Sequence, residues 1–146
     1  MVKNNMNNKI YLASDHGGFS LKETIFFFLK ENKVDVVNLG CQSLDPVDYP
    51  DYAQLLASKI EHNNSYGIII CGTGIGISIA ANRFPHIRAA LCTSVEMASM
   101  SRRHNNSNVL ALGGRIISNE LAKEIVLEFL NTEFEEGRHL LRINKI

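Results

Sequence analysis

The stretch IIICGTGIGIS, Ile68 to Ser78, decides the fold. Three successive isoleucines form a continuous apolar run rather than an alternation, which marks a strand buried on both faces. The glycines that follow let the main chain turn sharply and approach other atoms before a helix starts. A strand that passes through glycines straight into a helix is the repeating unit of a parallel α/β sheet.

Outward from this stretch the unit repeats. KIYLAS (9–14), VDVVNLG (34–40), GIIIC (67–71), RAALC (88–92) and NVLALG (108–113) read as five strands. FSLKETIFFFLKEN (19–32) carries Leu21, Ile25, Phe28 and Leu29 at helical spacing, and its Ser20 and Glu23 stand as a capping box would. Pro50 opens a helix with Ala53, Leu56, Ala57 and Ile60 on one face. GISIAANRF is a short helix closed by Pro85, and SVEMASMSRRHN is another. NELAKEIVLEFLN turns Ala122, Ile125, Val126 and Phe129 inward. With no hairpin signal between strands, the pattern predicts a Rossmann-like, doubly wound five-stranded parallel sheet. It occupies a single domain over 9–146, and the Asn-rich residues 1–8 are expected to be flexible. The tail TEFEEGRHLLRINKI is polar and basic, with little in it to pack at home.

Composition narrows the function. Lys+Arg and Asp+Glu number 15 each, so no global charge draws the chain to nucleic acid or anionic lipid. Cys41, Cys71 and Cys92 are odd in number and lack a C-x-x-C pair. That argues against a disulfide framework and a structural zinc site, and fits a reducing, cytoplasmic setting. MVKNNMNNKI lacks the apolar core of a signal peptide, and no apolar run reaches membrane-spanning length.

In an open parallel sheet, ligands bind beyond the carboxyl ends of the strands. That rule selects Asp15 and His16 after the first strand, Cys71 with its glycine loop after the third, and Arg115 after the fifth. It also brings in His104 and Asn105, after the helix that follows the fourth. Gly72, Gly74 and Gly76 can turn backbone N–H groups toward a phosphate, a carboxylate or a developing oxyanion. The Lys-Ser/Thr pair of a nucleotide-binding P-loop is missing. Cys71 faces the positive end of the next helix, where a thiolate serves as nucleophile, redox sensor or base; a plain core cysteine fits the position equally well. Cys41 and Cys92 read as core residues, and His62 and His86 as surface or loop residues. His16 and His104 lie in ligand-side loops, though an unaided histidine is more often structural. The His and Asp positions show no metal-ligand spacing. Arg138 and Arg142, four apart, share one face of a helix, either holding an anion between them or simply solvated.

Five motifs, SDHGG (14–18), DYPDYA (48–53), CGTGIGISIAANR (71–83), SRRHNNSNVLALGGR (101–115) and EGRHLLR (136–142), together resemble the type B ribose-5-phosphate isomerases. That family also contains galactose-6-phosphate isomerase subunits, and the resemblance runs from Lys9 to Arg142. It implies a cytoplasmic enzyme that interconverts ribose 5-phosphate and ribulose 5-phosphate without metal or organic cofactor. It implies a homodimer, or a dimer of dimers, with active sites shared across the interface and the C-terminal arm crossing it.

Carried over by position, Cys71 is the base, and Thr73 with the amides of Gly72, Gly74, Ile75 and Gly76 supports the enediolate. His104 assists ring opening, Asp15 and His16 contact the sugar and its ring oxygen, and Tyr49 lines the pocket. Asn105, Arg115, Arg138 and Arg142 hold sugar and phosphate. Some members replace the cysteine by a glutamate six positions on, where this chain has Ile77. Two other readings stand beside this one: an isomerase of galactose or allose 6-phosphate, and a non-catalytic sugar-phosphate sensor whose cysteine reports redox state.

Overall fold

The computed structural model describes residues 1–3, 8–61 and 65–146. Its strands are β1 (Lys9–Ser14), β2 (Val36–Gly40), β3 (Ser65–Cys71), β4 (Ala89–Leu91) and β5 (Val109–Gly113). The helices are α1 (Phe19–Glu31), α2 (Tyr49–Lys59), α3 (Ile75–Ala81), α4 (Val95–Asn105), α5 (Asn119–Asn131) and α6 (Arg138–Ile143). All pairings are parallel, in the order β2-β1-β3-β5-β4. This is the expected sheet, although the chain visits edge position β4 before returning to place β5 against β3.

The three isoleucines explain why β3 is central. Ile68 and Ile70 face one core with Ile10, Leu12, Leu110 and Leu112, covered by α1, α4 and α5. Ile69 and Cys71 face the other with Ala13, Val109 and Ala111, covered by α2 and α3. Burial on both sides requires apolar residues at every position, and each isoleucine so buried contributes about 2–3 kcal/mol. Ala53, Leu56 and Ala57 of α2 and Ala122, Ile125, Val126 and Phe129 of α5 are buried as their spacing predicts.

Three local expectations are corrected. The capping box fails because α1 begins at Phe19, after a single 3-10 turn over His16–Gly18, so Ser20 is already helical. Glu23 pairs with Lys22 instead. Phe28 is only half-buried, while Lys22 is fully buried and donates to Asn38 Oδ1 at 2.9 Å. The tail does find a place to pack: the Glu135 N–H donates to the Arg103 carbonyl at 3.1 Å, and His139 of α6 is buried. Leu140 and Leu141 beside it stay exposed. At the other end Val2 is buried and Lys3 N–H donates to Asn131 Oδ1; residues 4–7, and His62, lie outside the described residues.

Candidate active site

The chain leaves β1 in one direction for β2 and in the other for β3, so the sheet's switch point lies between β1 and β3. A crevice opens there beyond the carboxyl ends. Asp15 and His16 follow β1, Cys71 ends β3, and Arg115 follows β5, whose Gly113 pairs with Cys71. The main chain ties these ends together. Asp15 N–H donates to Ile70 O at 3.2 Å, Gly114 N–H to Cys71 O at 2.8 Å, and Arg115 N–H to Gly72 O at 2.9 Å.

Cys71 Sγ accepts the Gly74 N–H at 3.1 Å, and its residue is 5% exposed in the single chain. The sulfur therefore sits at the boundary of the α2–α3 core with a donor fixed on it. Gly74 adopts φ 78°, a left-handed conformation that costs glycine nothing, and a Cβ there would meet Leu91 Cδ1 at 2.5 Å. Thr73 is exposed, and its Oγ1 accepts the Ile75 N–H at 3.2 Å. Two of the amides expected to receive an oxyanion, those of Gly74 and Ile75, are thus engaged inside the loop. The loop's glycines also make room for neighbours: a Cβ at Gly72 would stand 3.0 Å from Arg115 Nη1, and one at Gly76 2.7 Å from the Tyr49 ring. Ile77, at the position of the alternative glutamate, is wholly buried.

Asp15 is buried and its Oδ1 accepts the Gly18 N–H at 3.1 Å, which caps the 3-10 turn. His16 Nδ1 accepts the Val47 N–H at 3.1 Å. The same nitrogen lies 3.2 Å from the Val47 carbonyl oxygen, so the Val47 main chain offers Nδ1 both a donor and an acceptor, and either neutral tautomer finds a partner there. Val47 holds the ring from a loop with no sequence signal for the role.

His104 and Asn105 do not join this crevice. Helix α4 leaves the carboxyl edge after β4 and runs back, so its last residues reach the amino edge of the sheet. Arg102, one turn from that end, donates to Tyr66 Oη at 2.9 Å, and Tyr66 stands near the start of β3. From Tyr66 to Cys71 the strand advances about 16 Å. Topology separates what the order of elements in the sequence had grouped.

At that amino edge a second constellation forms. The His104 and His139 rings stack at 4.2 Å between centroids and 12° between planes. Glu135 Oε2 lies 3.5 Å from His139 Nε2 and 3.9 Å from His104 Nε2, while Arg103 pairs with Oε1. Arg103 is the main reason the Glu135 carboxyl is held below the usual carboxylate range. Burial, then His104 and Arg138, keeps His139 below the ordinary imidazole value. Arg138 and Arg142 are exposed on α6. Sequence reasoning passed over Glu135 and His139, although their i, i+4 spacing was visible. It could not see that His104, 31 residues upstream of Glu135, would bring its donor atom within 4.8 Å of both.

Cys41 and Cys92 are buried core thiols, and burial pushes Cys92 up to about 11, which keeps it protonated. Among the described residues no helix is long and apolar enough to cross a membrane.

Residues 10–146 match the family model described as Ribose/Galactose Isomerase. The chain is 48% identical over 143 residues to the probable ribose-5-phosphate isomerase B of Mycoplasma pneumoniae, covering 97% of this chain and 94% of that protein. It is 46% identical to ribose-5-phosphate isomerase B of Escherichia coli, covering 94% and 93%. The structure of ribose-5-phosphate isomerase B from Mycoplasma genitalium with bound ribulose 5-phosphate superposes with a TM-score of 0.93 at 43% identity, covering 96% and 94%.

Proposed function

The chain belongs to the ribose/galactose isomerase family, and on that premise we propose that it interconverts D-ribose 5-phosphate and D-ribulose 5-phosphate. One observation carries the reading. Cys71 stands at the switch-point edge between Asp15–His16 and Arg115, with its sulfur fixed by the Gly74 N–H. The thiolate takes the proton from C2 of the open-chain aldose, and the C1 carbonyl oxygen becomes the enediolate oxygen. The thiol then returns the proton to C1 as the C2 hydroxyl passes its own to the C1 oxygen, leaving a carbonyl at C2 and a hydroxyl at C1. Atoms balance without an external oxidant.

Thr73, exposed at the mouth, and the Gly72 and Gly76 amides face the developing charge; the Gly74 amide holds the sulfur. His16 and Asp15 contact the sugar, Tyr49 lines the pocket over Gly76, and Arg115 lies over Gly72. His104, Asn105, Arg138 and Arg142 reach Cys71 from a second copy of the chain in a homodimer. Two features support this: within one chain they lie at the far edge of the sheet, and α3 beside the glycine loop exposes Ile75 and Ile79 to 53% and 61%. The arginines grip the phosphate and thereby orient the reacting carbons. Such an enzyme, with three free thiols, belongs in a reducing cytoplasm.

The test is direct. Purified protein, with chelator present, is expected to convert ribose 5-phosphate to the ketose far faster than galactose or allose 6-phosphate to theirs. Faster turnover of a hexose would move the assignment to a hexose 6-phosphate isomerase. Saturable binding without turnover of any of the three would mark a sensor.

A further inference from the structure

The stacked rings of His104 and His139 stand beside a carboxylate that the reaction above leaves without a task. Glu135 is fixed twice: its N–H donates to the Arg103 carbonyl, and its Oε1 pairs with the Arg103 guanidinium. That leaves Oε2 facing both Nε2 atoms, at 3.5 and 3.9 Å. The charged groups around the pair are Arg103 from α4, Glu135 from the connecting segment, and Arg138 and Arg142 from α6. Two imidazolium rings stacked at 4.2 Å among three arginines repel strongly, whereas one proton is balanced by one carboxylate.

A metal ion is the competing occupant of this donor set. It fits poorly, because rings only 12° from parallel hold their lone pairs in separate planes instead of converging them, and Arg103 already holds one of the two carboxylate oxygens.

We propose that Glu135 is a positioning residue for His104, holding a single proton in the stacked pair so that His104 delivers it to the ring oxygen as the C1–O4 bond breaks, while the anomeric hydroxyl gives its proton to water and becomes the C1 carbonyl. The proposal rests on the isomerase reading above. His139, buried and crowded by arginines, is the ring kept neutral, and it backs His104 as a stacked partner.

The two sugars separate this step from proton abstraction. Ribulose 5-phosphate has its O5 phosphorylated and cannot close a furanose, so exchange of its C1 hydrogen with solvent deuterium needs the base and no ring opening. Glu135→Gln keeps the shape and an oxygen for Arg103 but removes the charge. It is expected to slow isomerisation of ribose 5-phosphate roughly tenfold while C1 exchange of ribulose 5-phosphate stays within about twofold. The high-pH limb of the ribose 5-phosphate profile should move to lower pH, because a lost anion weakens the pair's hold on its proton. Glu135→Asp, retaining the charge, should restore the limb.

His104→Asn should show the same split, and adding Glu135→Gln to it should cost nothing more. Equal loss of both reactions in a folded variant, an unmoved limb, or additive losses in the double variant would overturn the proposal. Absence of C1 exchange in the unaltered protein would instead bring down the isomerase reading, and this inference with it.

Discussion

The two edges of the sheet hold their chemistry in different ways. At the carboxyl edge the groups around Cys71 are placed by main chain: strand pairing, the Gly74 amide on sulfur, and the amides of Gly114 and Arg115 on the carbonyls of Cys71 and Gly72. At the amino edge the groups around His104 are placed by side chains. There a stack and a pair of partly exposed ionic contacts join α4 to the segment leading into α6. The first arrangement cannot relax without unfolding β3 or β5. The second depends on charge and therefore on pH and salt. In the proposed isomerase the proton-moving base has the first kind of support and the phosphate-gripping arm the second.

The largest expected effect tests whether the two edges meet in one site. Cys71→Ala and His104→Asn should each lower isomerisation by about two to four orders of magnitude with the fold intact. Mixed and reassembled, the two inactive variants should recover roughly a quarter of normal activity, because an isologous dimer of one of each contains one intact site. No recovery after verified subunit exchange would place both residues in a site within one chain, against the topology.

Next in size is an attack on the rigid edge alone. Gly74→Ala forces a side chain into a left-handed conformation and against Leu91 and the Leu112 main chain. It should cost about 3 kcal/mol in denaturant unfolding. A loss under half a unit of that scale would show that the loop is softer than its hydrogen bonds imply.

The smallest effect sharpens the contrast. His139 binds its proton more weakly folded than unfolded, so its contribution to docking α6 is complete above the unfolded value of about 6.5 and is lost as pH falls through the lower folded one. Glu135, also shifted down, keeps its charge over that range. Between about pH 7.5 and pH 5.5, amide exchange in α6, corrected for intrinsic rate, should quicken a few-fold while that of Ile68–Cys71 stays fixed. Equal change at both edges would deny the distinction.

The same contrast explains what could be read in advance. Strand and helix bounds around β1, β3, β5, α2 and α5 follow from apolar runs and 3.6-residue stripes, because double-sided burial leaves no polar option at those positions. The capping box at Ser20 was misread because Asp15 caps a 3-10 turn that leads into α1 at Phe19, which leaves Ser20 already helical. Val47, which holds the His16 ring, brings only main-chain groups to the site, and main-chain groups have no sequence signature. Glu135 was missed because its partners lie far upstream and across a turn.

Sequence by itself determined the parallel α/β sheet, the glycine turn behind Cys71 and the residue types gathered at the strand ends, since each follows from local periodicity or local steric need. Only the tertiary structure decided that His104 lies at the opposite edge from Cys71 and stacks on His139 beside Glu135. Which end of a helix meets which edge of a sheet depends on the direction the chain takes through space, and nothing within a few residues of His104 encodes it.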